Sequence, residues 1–407
     1  MQALWTIRTN ETTIIAPAAR YRQWEKGADS LAADSSRPGI FLEVPDFGFG
    51  PAATALAAIR QVIYQYDWTV VSTGNAAAFL RNELPSATHL ELDTWKSSQW
   101  PAFNRLAPRK AIVISSGNPL FAEWAIGEGY RVGHLDALDW MWTEERRELT
   151  DAEFRIAQAY YGTLNRFSSE TREIARPMVD VDIWSEQIGP AQSRTGLIAF
   201  GGMSLPGYED LVTDYARWIL TAGLRSLIEH YDCTRVAIVG GRSDLPWLVP
   251  PNWREHPRVQ TLSRVSRRDY ARLVRQSEYL LVSPGLATIY ECYVSNTRPV
   301  YQPGFNYSMI LQLRDLIAAG YSNAITWPWH KQFVNSIAGI PEVAGLQLLQ
   351  AQISESIHDD VAGIQLSKTL SERNDWSEEC NPSALANLWS LPDSATLVAH
   401  HLQRLTG

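Results

Sequence analysis

The stretch from Tyr279 to Gln312, YLLVSPGLATIYECYVSNTRPVYQPGFNYSMILQ, decides the fold. It opens with a short apolar run, residues 279–282, that reads as a buried strand. Ser283-Pro284-Gly285 forms a tight turn, and residues 286–293 continue with helical spacing. Pro299-Val300-Tyr301 reads as a second strand, closed by another Pro-Gly turn and an Asn-Tyr-Ser loop. A helix N-terminus therefore opens directly after a glycine turn. Its unpaired N–H groups and the helix dipole favour an anion such as a diphosphate. Glu291 lies one helical turn past Thr288, where a carboxylate can accept hydrogen bonds from sugar hydroxyls. Taken alone, the segment is equally an ordinary strand-turn-helix with a solvated glutamate.

A second segment weights the choice. Residues 195–210, TGLIAFGGMSLPGYED, are again strand, glycine turn and helix. Gly201-Gly202 lets the backbone approach a ligand where a side chain would block it. Two such turns in one half of the chain point to a cleft for a nucleotide diphosphate.

Working outward, the rhythm of strand and helix fills most of the chain. Residues 39–44 read as a strand, 45–51 as a glycine loop and 52–66 as a helix. Further strands are expected at 69–72, 89–92, 111–115 and 131–134, with helices at 76–84, 120–127 and 152–164. Residues 176–193 carry two prolines and little periodicity, which suits a linker. The rhythm restarts with strands at 197–200, 235–239, 259–262 and 279–282 and helices at 208–230 and 267–276. Residues 382–405 read as helical in two pieces, and 12–16 as an edge strand. Alternation of this kind implies parallel, doubly wound sheets. The expected domains are residues 1–185, residues 186–375, and a helical tail, 376–407, that folds back on the first. A ligand would lie at the carboxyl ends of the strands, between the two domains.

Composition narrows the function classes. The chain has 407 residues, 45% of them hydrophobic, enough for two cores, and a formal net charge of −8. That balance, without a long basic run, argues against nucleic-acid binding. Arg264, Arg267, Arg268, Arg272 and Arg275 read as a solvated helix face. The three cysteines, Cys233, Cys292 and Cys380, show neither zinc spacing nor a disulfide framework. Cys292 reads as a small core residue. The first residues lack a signal-peptide apolar region, and no segment approaches a membrane span, so a cytoplasmic protein that does not bind membranes is expected. A homodimer is compatible with the sequence.

Residues 195–330 resemble the donor domain of the transferase that adds N-acetylglucosamine in peptidoglycan synthesis, and residues 39–135 match its first domain in outline. The resemblance implies the GT-B architecture, two Rossmann-like doubly wound domains facing a cleft, and a UDP-sugar glycosyltransferase. In that family the turn matching Phe200-Gly201-Gly202-Met203-Ser204 approaches the donor phosphates, and Val265 would lie near the uracil. The turn matching Pro284-Gly285-Leu286-Ala287-Thr288 would bind phosphate, and Glu291 would grip the ribose. Asn306-Tyr307-Ser308 and Gln312 would touch the sugar. That family's first glycine loop continues into a His or a small hydroxyl residue. Here Gly50 is followed by Pro51, which argues against a lipid-linked acceptor. Phe200-Gly201-Gly202 together with residues 134–142, HLDALDWMW, also resembles the cytosylglucuronate synthases of nucleoside-antibiotic pathways. That resemblance implies glucuronic acid from UDP-glucuronate and a free or modified cytosine as acceptor.

Glycosyl transfer needs a stabilised leaving diphosphate, a deprotonated acceptor and an anomeric carbon held between them. Helix N-termini can supply the first without a metal, so no cofactor is expected. The one Asp-x-Asp, Asp180-Val181-Asp182, falls in the expected linker and reads as solvated. Asp46, Glu123 and Asp136 are the candidate general bases, with Asp136 favoured because Trp140 and Trp142 follow it. A carboxylate beside an apolar pocket has a raised pKa suited to that task. Each of the three can equally be a helix cap or an ion-pair partner. Trp140 or Trp142 would stack on a planar acceptor. Arg242 is a candidate for the carboxylate of a uronic-acid donor. A UDP-sugar hydrolase or 2-epimerase, and a non-catalytic nucleotide-sugar-binding protein, are the alternatives.

Overall fold

The strand expected at the start of the rhythm is β1, Gly39–Glu43, with Ile40 and Leu42 fully buried. The computed structural model describes residues 37–142, 147–162, 172–186, 189, 192–205, 207–373, 376 and 383–407, and Gly39–Gly407 forms one compact unit. The expected strand at 12–16 and Cys380 lie outside the described residues.

β1 is joined by β2 (Asp67–Ser72), β3 (Thr88–Glu91), β4 (Ile112–Ser116), β5 (Arg131–Asp136), β6 (Phe154–Gln158) and β7 (Arg172–Ala175). They pair in the order β3-β2-β1-β4-β5-β6-β7, every pair parallel. A second sheet holds β8 (Gln192–Ala199), β9 (Arg235–Gly240), β10 (Val259–Ser263), β11 (Ser277–Val282) and β12 (Val300–Tyr301). Its order is β10-β9-β8-β11-β12, again all parallel. The α/β class with two doubly wound sheets is as the sequence implied. β4, and β8 over Gly196–Ala199, are buried on both faces, so those stretches read without polar alternation.

The order of each sheet reverses once, between β1 and β4 and between β8 and β11. The helices leave at these points: α1 (Gly50–Ile59) follows β1, and α2 (Gly74–Glu83) follows β2. α3 (Pro119–Gly127) follows β4, capped by Asn118. The short α4 (Val181–Trp184) lies between the sheets in the chain. α5 (Glu209–Leu224) follows β8, α6 (Arg267–Gln276) follows β10, and α7 (Leu286–Val294) follows β11. α8 (Tyr307–Ala318) follows β12. α9 (Ser394–Thr406) buries Val398 and Leu402 in the core of the first sheet. Asp393 caps α9 and joins Arg60 at the end of α1 and Arg176 after β7.

Four readings need correction. The helix expected at 152–164 is not formed over its described residues, 152–162: Phe154–Gln158 is β6, an interior strand buried on both faces. Its apolar residues at 154, 156 and 157 fit either period, and burial between β5 and β7 decides for the strand. Residues 172–175 form β7, which the sequence reading passed over. The solvated acidic linker is also wrong at Asp180, which is largely buried and ion-paired to Arg267 at 3.3 Å. The arginine face is solvated at Arg268 and Arg272 and engaged at the other three positions. Arg264 bonds the carbonyl of Gly241, Arg267 pairs with Glu83, and Arg275 bonds the carbonyl of Trp184.

Candidate active site at the seam between the sheets

In an open parallel sheet, ligands bind outside the carboxyl ends of the strands where the order reverses. The loop after β1 carries Asp46, Phe47 and Gly48. The turn after β8 carries Gly201, Gly202, Met203 and Ser204, and the turn after β11 carries Pro284 and Gly285. Both predicted glycine turns therefore sit at the switch point of the second sheet, and Asp46 sits at that of the first. Left-handed backbone occurs here, as it also does at Lys110, Arg194, Asp232 and Asn296 elsewhere. Gly48 and Gly201 have positive φ, and so do the non-glycine residues Met203 (φ 55°) and Arg264 (φ 56°).

The two switch points touch. A Cβ on Gly202 would lie 2.3 Å from Gly48 Cα, and one on Gly241 would meet the Gly202 oxygen at 2.4 Å. Asn75 Nδ2 donates to the Gly202 carbonyl at 3.2 Å, and Arg264 Nη2 donates to Asn75 Oδ1 at 3.4 Å. The Gly201-Gly202 pair thus serves a close backbone approach, with the partner here being the loop of the first sheet.

Asp46 faces this seam. The Ala76 N–H donates to its Oδ1 at 3.2 Å, so it caps the first turn of α2. A Cβ on Gly74 would fall 1.8 Å from its Oδ2. Burial pushes its carboxyl above the usual range, and nearby Asp93 adds to this. Hydrogen bonds from Ala76, Asn75 and the Ser204 hydroxyl of the other sheet oppose the rise without cancelling it. Beside it, the Phe47 and Trp95 rings meet at 6.0 Å, edge to face, with Trp95 38% exposed.

Asp136 is placed differently. It is the last residue of β5, one strand away from the switch point, and buried. Leu138 N donates to its Oδ1 at 2.9 Å, and Trp142 Nε1 to its Oδ2 at 2.7 Å. Burial would raise its carboxyl, but His134, Trp142 and Leu138 together outweigh burial and hold it below the usual carboxylate range. The raised pKa expected of a base is thus found at Asp46 and not at Asp136. Trp140 stacks on Tyr160 at 3.9 Å, so it and Trp142 are spent on internal contacts rather than on an acceptor platform. Glu123 lies half-buried on α3, which packs on β4 and β5.

On the side of the second sheet, α7 begins after Gly285 with no side-chain cap, and a Cβ there would meet nothing closer than 3.8 Å. Leu286, Ala287 and Thr288 form its first turn. Glu291 follows, buried, its carboxyl pushed up to about 7 by burial against the Arg267 guanidinium and a hydrogen bond with Trp184. Val265 is half-buried just before α6. Asn306 caps α8, accepting from Met309 N at 2.8 Å and from the Ser308 hydroxyl at 3.1 Å. The Tyr307 hydroxyl donates to the carbonyls of Ile337 and Ile340. Gln312 keeps a buried side-chain oxygen with no hydrogen-bond donor. Arg242 is gripped by Asp244 at 2.6 and 2.8 Å and by the Thr213 hydroxyl at 2.8 Å, so its fork is turned away from a ligand.

The sequence reading missed Glu43. This glutamate is wholly buried at the end of β1. It accepts from Thr94 Oγ1 (2.5 Å), Ser115 Oγ (2.7 Å) and Asn118 Nδ2 (3.0 Å), and burial pushes its carboxyl up to about 7. A charged residue inside the apolar run GIFLEV was the available signal. Cys233 and Cys292 are buried thiols pushed up to about 12, which keeps them inert.

Two parallel sheets meeting at their switch points, with glycine turns and an uncapped helix N-terminus on one side, define the GT-B fold. The chain matches no protein-family description and no curated protein sequence. Among solved structures it is similar to the UDP-N-acetylglucosamine 2-epimerase of Rickettsia bellii, at 12% identity over 90% of this chain and 96% of that one, with a TM-score of 0.50. It is also similar to the MurG protein of Acinetobacter baumannii, at 12% identity over 89% and 99% of the chains, TM-score 0.42. A third is the Arabidopsis thaliana protein UGT89C1 complexed with UDP-L-rhamnose, at 12% identity over 85% and 100%, TM-score 0.44. The first likeness shows the fold and no more. Among the described residues no helix is long and apolar enough to cross a membrane.

Proposed function

We propose that the chain is a glycosyltransferase that moves a sugar from a UDP-sugar to a small acceptor, with Asp46 as the general base. One observation carries this reading. Asp46 stands at the switch point of one sheet with a raised carboxyl, and the side chain it meets across the seam, Ser204, belongs to the glycine turn at the switch point of the other. A base and a diphosphate cradle on opposite walls are what transfer requires. The uncapped start of α7 and the Gly201-Gly202 turn would take the diphosphate, Glu291 the ribose and Gln312 the sugar. Phe47 and Trp95 offer a flat apolar edge to a planar acceptor. The narrower reading, glucuronic acid delivered to a cytosine in nucleoside-antibiotic formation, is supported by the sequence resemblance alone.

Donor chemistry without a metal is part of the proposal, because helix N-termini offer fixed positive charge to the leaving diphosphate. Turnover should survive excess EDTA. Loss on chelation that magnesium or manganese restores would overturn this point. The deciding assay follows UDP release from a panel of UDP-sugars, with and without candidate acceptors. Release that needs an acceptor supports transfer. Release with donor alone indicates a hydrolase or an epimerase, and tight binding without release a binding protein.

A further inference from the structure

Glu43, Thr94 and Trp95 form a chain of contacts from the buried end of β1 to the open side of the seam. Thr94 follows β3, at the centre of a turn that Lys96 N closes on the Asp93 carbonyl at 3.1 Å. It is buried, and its hydroxyl donates to Glu43 Oε1 at 2.5 Å. Its carbonyl accepts from Trp100 Nε1 at 2.8 Å and from Asn118 Nδ2 at 3.3 Å. Asn118 Nδ2 also donates to Glu43 Oε1 at 3.0 Å. The next residue, Trp95, is exposed, and its ring meets Phe47 edge to face at 6.0 Å. Phe47 lies in the chain between Asp46 and Gly48, the residue that touches Gly202. The Asp93 carboxylate of the same turn helps to raise the carboxyl of Asp46.

This arrangement differs from ordinary packing. A buried carboxyl is costly, and an apolar residue would fill the end of β1 at lower cost. Here the carboxyl instead pins one turn, and the residue that follows the pinned one carries an indole left open to solvent. Holding that ring in place costs loop and side-chain freedom, and the ring gains further burial when a flat ligand covers it. The network also fits an uncharged Glu43. Ser115 Oγ lies 2.7 Å from Oε2 and has a second acceptor in the Asn118 carbonyl at 3.2 Å. The acid can therefore donate to Ser115 while Oε1 accepts from Thr94 and Asn118. A glutamine offers the same pattern, one donor edge and one acceptor edge.

We propose that Glu43 is a positioning residue for the acceptor: through Thr94 it fixes Trp95 against Phe47, and the two rings hold a planar acceptor beside Asp46. The inference rests on the proposed function and adds to it the residue that sets the acceptor's wall. Glu43 is wholly buried and touches no substrate, so its effect reaches the acceptor only through the turn.

The test follows UDP release by the full chain with cytosine and phenol as planar acceptors and cyclohexanol as a non-planar one. Thr94→Val removes one hydroxyl and keeps the shape of the side chain. It should raise KM for the planar acceptors roughly five- to thirtyfold, with kcat and UDP affinity near the wild-type values. Trp95→Ala should do the same. Glu43→Leu should follow Thr94→Val, whereas Glu43→Gln should keep the wild-type KM. Hydrogen exchange over residues 93–99 should quicken in Thr94→Val and Glu43→Leu and match the wild type in Glu43→Gln. If Glu43→Leu does not fold, Thr94→Val and Glu43→Gln carry the comparison. Unchanged acceptor KM in Thr94→Val and Trp95→Ala overturns the wall, and unchanged exchange in Thr94→Val overturns the positioning. Release of UDP with cyclohexanol alone overturns the planar acceptor. A wild-type chain that transfers to no acceptor removes the proposed function itself, and the inference with it, whatever the exchange shows.

Discussion

Asp46 and Asp136 show how neighbours, and not burial alone, set the role of a carboxyl. Both lose water. Asp136 recovers more than it loses from three donors, while Asp46 recovers less and stays raised. Asp46→Asn should keep the cap on α2, since an amide oxygen still accepts from Ala76. It should lower transfer by ~10²–10⁴-fold and leave UDP affinity near the wild-type value. Steady-state rates and calorimetry together check this, and transfer within a few-fold of wild type would exclude Asp46 as the base. Asp136→Asn should act on stability instead. Its amide would turn a donor toward Trp142 Nε1 or Leu138 N, leaving a buried group unpaired at a cost of about 1–3 kcal/mol. Urea denaturation reads that loss. The same variant, assayed while folded, should transfer nearly as well as wild type.

At the scale of elements, the glycine turns do two jobs with one geometry. Gly202→Ala would place a methyl carbon against the Cα of Gly48 and the nitrogen of Phe49, at 2.3 and 2.5 Å. Neither backbone can yield without moving its own sheet, so overpacking of about 1–3 kcal/mol is expected. Hydrogen exchange at Gly48 and Phe49 should quicken while the strands stay protected, and unchanged exchange would show that the seam is looser than its contacts. The turns were legible because Gly and Pro mark them and the flanking strands are unbroken apolar runs. Asp46 was legible as a candidate for the same reason, since it follows β1 directly. What was not legible depended on sheet order. Nothing in residues 131–136 says that β5 lies one strand from the switch point, or that Trp142 would fold back onto Asp136. β6 escaped because a strand buried on both faces loses the alternation by which strands are recognised. Glu43 escaped because its partners, Thr94, Ser115 and Asn118, come from three separate segments.

Over the whole molecule, the buried glutamates should give stability an unusual dependence on pH. Glu43 and Glu291 both have folded-state pKa values of about 7, above the 4.5 of a free side chain. Between those values the folded state holds protons that the unfolded chain has released. Stability therefore falls as pH rises from about 4.5 to about 7, by up to ~3 kcal/mol per group. Glu342 is likewise pushed up to about 7 and Asp139 to about 6 by burial, so melting temperature should decline across that window and Glu43→Gln should remove only a part of the slope. A flat profile in the wild type would mean that both groups ionise normally.

The placing of α9 bears on how the chain reaches this state. The core of the first sheet includes Val398 and Leu402, and Arg60 at the end of α1 meets Asp393 across 333 positions. A chain growing on the ribosome thus presents nearly all of the first half with its floor missing, while the second half can close from residues made in one run. The earliest-made sheet should be the last to lock. Until it does, chaperones would find their exposed apolar surface on the α1 side.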